Sequence, residues 1–215
     1  MKSFKLIRPL GIVLLSVLVI SCGKEAPREV SVEPLEKVAV RPEIYADFTL
    51  TADLSHLSED QKKMISLLID AAQIMDDLFW RQSFGDNYEE WLDSIADERT
   101  RRFAELNYGP WDGLDDDKPF MDGFRSKPLG AQFYPEDMSK AEFEEAYLPG
   151  KEGLYSFVRR DQEGGLKLVP YHVEYAEELA AAARLLREAA KLTRSPDFAN
   201  YLKLRAAALI SDDFQ

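Results

Sequence analysis

The sequence predicts a mainly α-helical fold with one small β-hairpin, in the α+β class. Three features predict it: a capping-box pattern at Ser58 and Gln61, an alanine- and leucine-rich stretch at residues 173–193, and two short apolar segments on either side of Gly164 and Gly165. Apolar residues three and four positions apart indicate amphipathic helices, and adjacent glycines between strand-like runs are typical of a hairpin loop. We find no internal repeat, and the part of the chain after residue 45 is long enough to bury a core as one domain.

The longest predicted helix covers residues 59–82. Ser58 and Gln61 have the spacing of a capping box, and apolar residues then recur at helical spacing: Met64, Leu68, Ala71, Met75 and Leu78. Near its end, Trp80 and Gln82 lie two positions apart, so about 200° of rotation separates them and they cannot face the same core. We expect Trp80 to pack inward and Gln82 to face open space.

Further helices follow from local start signals. Asn87 begins one that continues through Trp91 and Ile95, and a third follows Asp97 as far as Leu106. The pair Ser139 and Glu142 opens a short helix that ends near Tyr147. Residues 173–193 form one long helix, and Ser195, Pro196 and Asp197 supply the cap, the first-turn proline and the first-turn acid of a last helix that reaches Ile210.

The strands of the hairpin are predicted at residues 154–159 and 166–171. Between the helical blocks, residues 107–137 are rich in glycine, proline, aspartate and aromatic residues. Long irregular segments of this kind carry binding surface or wrap the domain.

Cys22, the single cysteine, follows an apolar run at residues 10–20 that is preceded by Lys2, Lys5 and Arg8. This order is typical of a secretory signal peptide, and the run is shorter than the roughly 20 residues that span a bilayer. The string V-I-S-C at residues 19–22 resembles the lipobox of bacterial lipoproteins, with valine at the position that is usually leucine. The prediction is a signal peptide at residues 1–21, a lipidated N-terminus and flexible tether at residues 22–45, and a folded domain at residues 46–215.

Lipidation of Cys22 would place the protein in the bacterial cell envelope, held to the membrane by its acyl chains. Because Gly23 follows the cysteine, rather than the aspartate that resembles an inner-membrane retention signal, we expect the outer membrane. Without residues 1–21 the chain keeps 24 basic and 39 acidic side chains, a net charge of about −15. Such a surface repels phosphate backbones, so nucleic-acid binding is excluded.

The sequence contains no established catalytic motif. His56 and His172 are its two histidines, and neither is paired with a glutamate or histidine at the spacing of zinc ligands. His56 lies just before a helix cap and is interpreted as solvated or capping. His172, between the hairpin and a helix, is interpreted as a hydrogen-bonded structural histidine, with a side chain that faces a cleft as the alternative. No G-x-S-x-G is present.

Residues 107–137 offer two further candidate sites, each with a simpler interpretation. The acids Asp112, Asp115, Asp116 and Asp117 lack the spacing of a calcium loop, so a solvated turn is favoured over a metal site. The aromatic residues of the segment are interpreted as core, with a peptide-binding cleft as the alternative: Tyr108, Trp111, Phe120 and Phe124.

Four short strings resemble the N-terminal region of bacterial proteins related to dipeptidyl peptidase III. They are A-A-Q-I-M-D-D-L-F-W-R-Q at residues 71–82, Y-G-P-W-D at 108–112, F-Y-P at 133–135 and P-Y-H at 170–172. The resemblance runs from about residue 48 to residue 215. It implies the N-terminal lobe, incomplete here, of a two-lobed zinc exopeptidase that removes dipeptides from peptide N-termini.

In that family zinc is held by H-E-x-x-G-H and a downstream glutamate-bearing helix, and this chain contains neither. No catalytic residue, metal ligand or cofactor is therefore assigned to this chain. Zinc is implied only for a missing C-terminal part. Gln82 and His172 are the substrate-cleft candidates, and a Gln82 that caps its own helix end or is solvated remains the favoured alternative to the cleft role.

Two functions follow. The first is the non-catalytic N-terminal portion of a lipid-anchored, dipeptidyl peptidase III-like zinc hydrolase, truncated or split, with a peptide substrate or the missing lobe as partner. The alternative is a free-standing envelope lipoprotein that binds peptide or protein without catalysis.

Overall fold

The computed structural model describes residues 37–214. Over this range the protein is mainly helical, as the sequence predicts, with two small antiparallel sheets of two strands each. The sequence predicts one of these sheets, the hairpin, and does not predict the other. The helices are α1 (Glu59–Ser83), α2 (Tyr88–Ser94), α3 (Glu98–Asn107), α4 (Lys140–Glu145), α5 (Tyr171–Glu174), α6 (Ala176–Leu192) and α7 (Pro196–Leu209). The strands are β1 (Trp111–Asp112), β2 (Lys118–Pro119), β3 (Ser156–Arg160) and β4 (Leu166–Pro170).

Helix α1 begins with the predicted capping box. The Ser58 hydroxyl accepts a hydrogen bond from the Gln61 amide at 3.3 Å, and the Gln61 side chain accepts one from the Ser58 amide at 2.9 Å. Side-chain caps also start α3 at Asp97, α4 at Ser139 and α7 at Ser195. These bonds satisfy amides that have no partner within their own helix, which is why the predicted starts are correct.

One predicted helix is divided in two. The sequence predicts an unbroken helix over residues 173–193, whereas α5 ends before Tyr175 and α6 begins after it. Tyr175 has a φ of −113° and a ψ of 36°, outside the helical region. Its ring is buried edge-on against Phe157 of β3, with ring centres 5.4 Å apart. The sequence does not predict this break, because the apolar pattern continues through Tyr175.

The three long helices form a layer, here called the helical layer, in which α6 packs against α1 on one side and α7 on the other. Small residues of α6 make these contacts close, since Ala182, Ala183 and Ala189 are almost completely buried. A cluster of buried apolar residues joins the helical layer to the hairpin. It consists of Leu78, Phe157, Tyr175 and Leu179.

The hairpin pairs β3 with β4 in the register Phe157 with Val169. Its loop is closed by the Asp161 carboxylate, which accepts hydrogen bonds from the Glu163 and Gly165 amides. Gly164 has a φ of +87°, a conformation that favours glycine. The predicted hairpin is therefore found, with strand ends that differ from the prediction by at most two residues.

The folded part begins before residue 46, where the predicted tether ends. Val38 donates a backbone hydrogen bond to Pro119, and Val38, Val40 and Tyr45 pack against the cluster around Phe103. The Arg41 side chain is paired with Asp112 at 2.6 Å. Isolated valines among charges are typical of a tether, but here they cover an aromatic core that lies about 60 to 80 residues further along the chain.

The segment 107–137 is built around packed rings, here called the aromatic cluster: Phe84, Trp91, Phe103, Trp111, Phe120 and Phe124. Gly109, with a φ of +148°, brings the backbone against Trp111, and a Cβ there would lie 2.7 Å from the indole ring. Trp111 is buried and donates its Nε1–H to the Arg125 carbonyl. The core interpretation fits Trp111 and Phe120, which are almost completely buried, better than it fits the more exposed Tyr108 and Phe124.

Candidate functional site

A cleft of about 290 Å³ lies where the end of α1 meets the hairpin, α5, α6 and the last described residues. Five of its twelve lining residues are aromatic, and we call it the aromatic cleft. The lining residues are Met75, Leu78, Phe79, Gln82, Leu154, Tyr155, Tyr171, Tyr175, Leu179, Leu209, Asp212 and Phe214.

Gln82 lies on the wall of this cleft, as expected for a side chain facing open space. Its backbone carbonyl accepts a hydrogen bond from the Gln132 amide at 3.0 Å, which fixes the end of α1 against the segment before β3. Its side-chain amide is half-buried and makes no hydrogen bond within residues 37–214. The amide group can both donate and accept, so it is available to a ligand.

Trp80, two positions earlier, faces the opposite way, as predicted. It is buried and stacks on Tyr88, with ring centres 5.0 Å apart, and it contacts the Tyr108 ring. The neighbouring Phe79 is half exposed and lines the aromatic cleft instead.

His172 is hydrogen-bonded to a residue that sequence reasoning did not single out. Its Nδ1 lies 2.7 Å from an oxygen of Asp212, and the same oxygen accepts the His172 amide at 3.3 Å. Asp212 follows α7 in a left-handed conformation, with a φ of +57°, and its carboxylate lines the aromatic cleft. This geometry matches the structural interpretation of the histidine, while its partner places a carboxylate in the same cleft as Gln82. Forty residues separate the pair, so no local signal could have found it.

Behind the cleft, Arg81 forms an ion-pair network. Its guanidinium donates to Asp86 at 2.8 Å and also to Glu178, and it lies 4.9 Å from the centre of the Tyr175 ring. Burial alone would lower the pKa of Arg81, but the hydrogen bonds to these two carboxylates raise it overall. Burial pushes the pKa of Glu178 upward, and the bond to Arg81 overcomes this and holds it below its ordinary value. Both groups therefore stay charged.

Arg159 carries a second set of contacts beside this network. It donates to Glu174 and to the Gln132 carbonyl, and its guanidinium lies 4.1 Å from the centre of the Phe157 ring. The pKa of Tyr175 rises to about 12 because burial of its side chain partly desolvates the hydroxyl. This network orients α1, α6 and the hairpin around the aromatic cleft.

The aspartate string at residues 112–117 differs from the predicted solvated turn. Asp112 has no exposed surface, and its carboxylate accepts hydrogen bonds from Arg41 and from the Leu114 amide. Asp115 and Asp117 lie nearer the surface and pair with cations, among them Lys118 and Lys127. The correction has a physical cause: Arg41, 71 residues away, neutralises the buried charge.

Within residues 37–214, no group of three or more histidine, cysteine, aspartate or glutamate side chains has a geometry that could hold a metal ion. His56 is exposed just before α1. Among the same residues, no helix has the length and apolar character to cross a membrane. Cys22 and the predicted signal peptide lie outside the described residues.

Comparison with known proteins finds two similar bacterial structures. No family model matches the chain. The structure of DPP III from Caldithrix abyssi is similar with a TM-score of 0.73 and 35% sequence identity, over 81% of this chain and 35% of that one. Dipeptidyl-peptidase III from Corallococcus sp. strain EGB is similar with the same TM-score and coverage and 33% identity.

A curated plant protein is also related in sequence. Nudix hydrolase 3 of Arabidopsis thaliana is 28% identical over an alignment of 231 residues, which covers 79% of this chain and 30% of the plant protein. The chain thus spans about a third of the length of the proteins it matches. Over most of its length it is dipeptidyl peptidase III-like, with the fold of one part of the bacterial proteins.

Proposed function

We propose that this chain is the N-terminal, non-catalytic portion of a lipid-anchored, dipeptidyl peptidase III-like zinc hydrolase. The observation that carries the proposal is the likeness to two bacterial structures at 33–35% identity, which extends over most of this chain and about a third of theirs. The remaining two thirds of such a protein would supply the catalytic machinery. The plant protein is less similar, at 28% identity, so the proposal follows the two bacterial structures.

The residues that the structure describes do not fit a zinc site. The two histidines are His56, exposed before α1, and His172, which is bound to Asp212. Residues 37–214 bring no three suitable donors together. We therefore derive no catalytic step here and assign zinc chemistry to the rest of the proposed protein.

The contribution of this chain is one wall of a peptide cleft. An extended peptide presents amides and carbonyls that need partners, and the unpaired amide group of Gln82 provides both a donor and an acceptor. The Asp212 carboxylate offers a counter-charge for an N-terminal ammonium group, and Tyr155 and Phe214, whose ring centres lie 4.9 Å apart, offer apolar surface to side chains.

A chimera tests this role. In it, residues 37–214 replace the matched segment of Caldithrix abyssi DPP III, and dipeptide release from chromogenic substrates is measured together with zinc content. We expect the isolated chain to release no dipeptides and the chimera to release them. A folded, zinc-loaded chimera without hydrolysis contradicts the proposal, and so does chelator-sensitive hydrolysis by the isolated chain.

The chimera also tests Gln82. We expect Gln82→Ala to raise KM about tenfold with little change in kcat, because it removes binding made equally by substrate and transition state. Gln73→Ala is the matched control, since Gln73 is exposed on the same helix and does not line the cleft. Equal kinetics for the Gln82 and Gln73 variants would contradict a contact between Gln82 and the substrate.

The lipid anchor and the outer-membrane location are parts of the same proposal. They are supported by the N-terminal sequence, in which basic residues and then an apolar run lead to the string V-I-S-C that ends at Cys22. We expect Cys22→Ser to abolish palmitate labelling and to release the protein from the outer-membrane fraction. Labelling that persists in this variant would contradict the anchor.

The second candidate function is peptide binding without catalysis by a free-standing envelope lipoprotein. It is favoured by the open aromatic cleft in a chain that lacks a zinc-ligand set among its described residues. Titration calorimetry of the isolated chain with short peptides separates the two candidates. Peptide binding that depends on Gln82, together with a folded but inactive chimera, would support this candidate.

A further inference from the structure

The Asp212 carboxylate is mostly buried and has no lysine or arginine partner within residues 37–214. Only 14% of its side-chain surface is exposed, and its ion-pair partner in this range is His172, whose imidazole carries a charge only when it is protonated. The fully buried Asp112, by contrast, is paired with the guanidinium of Arg41 at 2.6 Å. A carboxylate removed from water needs hydrogen-bonding or cationic partners, so Asp212 has capacity left for a cation.

The two oxygens of the Asp212 carboxylate have different surroundings. Oδ2 lies 2.7 Å from Nδ1 of His172 and accepts the His172 amide at 3.3 Å. Oδ1 makes no hydrogen bond within residues 37–214. Since every fully buried side-chain nitrogen or oxygen in this range has a hydrogen-bond partner, solvent must reach Oδ1. Asp212 lines the aromatic cleft, so this oxygen is available to a cation that binds there.

The position of Asp212 is fixed from two sides. Its backbone has a φ of +57°, a conformation that is less favourable for a residue with a side chain and persists where neighbours hold it. Its amide donates to the Ala208 carbonyl at 2.9 Å, and Phe214, two residues further on, stacks on Tyr155. The turn after α7 therefore holds the backbone of Asp212, and His172 holds the carboxylate.

We propose that His172 is a positioning residue, which orients the free oxygen of Asp212 toward the N-terminal ammonium group of a bound peptide. The inference rests on the proposed peptide cleft and names the residue that sets its preference for a free N-terminus. An ammonium group donates to a carboxylate in a charge-assisted hydrogen bond, which is roughly twice as strong as a neutral one. Apolar residues such as Leu154 and Leu179 line much of the remaining cleft and suit an uncharged first side chain.

A purely structural role for His172 is the alternative. The pair of His172 and Asp212 joins the start of α5 to the turn after α7, and in a structural role it only holds these segments together. Loss of His172 then lowers stability and changes the binding of all peptides alike. A positioning role instead changes the binding of a peptide with a free N-terminus and leaves the binding of an acetylated peptide as it was.

Titration calorimetry of the isolated chain with trialanine amide and with N-acetyl-trialanine amide separates the two roles. We expect the free peptide to bind about tenfold more tightly than the acetylated one, because only the free peptide supplies an ammonium group. A third peptide, N-acetyl-lysyl-alanyl-alanine amide, carries its ammonium on a side chain and should bind like the acetylated peptide. Equal binding of all three, or no binding of any, overturns the inference. Binding of the lysine peptide as tight as that of the free peptide also overturns it.

Variants of His172 measure its role directly. We expect His172→Ala to weaken the binding of the free peptide about fivefold and to leave that of the acetylated peptide unchanged. His172→Asn places an amide N–H near the position of Nδ1 and should restore most of the loss. His56→Ala, at the exposed histidine before α1, is the matched control and should change neither. Urea unfolding shows that each variant is folded, and an equal loss for both peptides, or no rescue in a folded His172→Asn protein, contradicts the positioning role.

A double-mutant cycle tests whether His172 acts through Asp212. We expect Asp212→Asn to weaken the binding of the free peptide about tenfold, because it removes the charge that faces the ammonium group. In that background His172→Ala should cause little further loss, since residues that act as one unit are not additive. Additive losses would show that His172 acts independently of Asp212 and would overturn the inference.

The outcomes separate this inference from the proposed function. If the chimera hydrolyses dipeptides while the isolated chain binds free and acetylated peptides equally, the role of His172 alone is overturned. If a folded, zinc-loaded chimera is inactive while the isolated chain prefers a free N-terminus in a His172-dependent way, the positioning role is supported and the proposed function is contradicted.

Discussion

The aromatic cluster and the helical layer differ in how much of their apolar surface the chain itself covers. In the aromatic cluster, residues 38–45 return over the rings, and the buried Asp112 is neutralised by Arg41. In the helical layer, a groove remains open between α1 and α7, and several basic side chains of α6 and α7 have no partner within residues 37–214. The first region covers its own apolar and charged groups, whereas the second leaves an apolar groove open and several basic side chains exposed to solvent.

The largest expected effect concerns the packing that joins the two regions. Trp80, on α1, stacks on Tyr88 and contacts Tyr108, so Trp80→Ala should cost about 3–5 kcal/mol of unfolding free energy. The adjacent Phe79 is half exposed, and Phe79→Ala should cost only about 1 kcal/mol. Urea unfolding of the isolated chain measures both values, and similar losses would mean that burial does not distinguish the two rings.

An intermediate effect is expected at the charge buried beneath the aromatic cluster. Asp112→Ala leaves the Arg41 guanidinium without its main partner and should cost about 3 kcal/mol, near the low end for a broken buried pair because Arg41 is partly exposed. The surface pair of Asp122 and Lys37 is the control, and Asp122→Ala should cost less than about 1 kcal/mol. Thermal unfolding midpoints that fall equally would contradict the role of Asp112 as a buried anchor.

The smallest expected effect is a pH dependence at the base of the cleft. Burial raises the pKa of Tyr175 to about 12 from an ordinary 10.0, so its contribution to stability is complete below pH 10 and is lost as the pH rises through 12. Tyr175→Phe removes this titration and should reduce the loss of stability between these pH values. Other tyrosines with raised pKa values, such as Tyr171, preserve part of it. An unchanged alkaline unfolding profile would contradict the burial of this hydroxyl.

Local signals predicted the helical layer better than the sites. The capping box at Ser58 and the proline after Ser195 act within one turn of chain, so the starts of α1 and α7 are readable from sequence. The same holds for the hairpin loop, which needs only Asp161 and its glycines.

The remaining features depend on residues far apart in the chain. The pairing of Arg41 with Asp112 turns a string of acids from a solvated turn into a buried anchor, and the packing of residues 38–45 moves the predicted domain boundary. His172 and Asp212 meet across 40 residues, and the open groove is formed by helices about 130 residues apart. Such contacts leave no periodic signal in a single sequence.

Hydrogen exchange most directly tests the difference between the two regions. Amide exchange of α7 and of α3 is followed by mass spectrometry in the isolated chain and in the Caldithrix chimera. We expect exchange in α7 to slow by about tenfold or more in the chimera, because under the proposed function the remaining two thirds of the protein pack against the helical layer, and exchange in α3 to change little. Equal exchange of α7 in the two proteins, or equal slowing of α3 and α7, would contradict the view that one region is complete and the other awaits a partner.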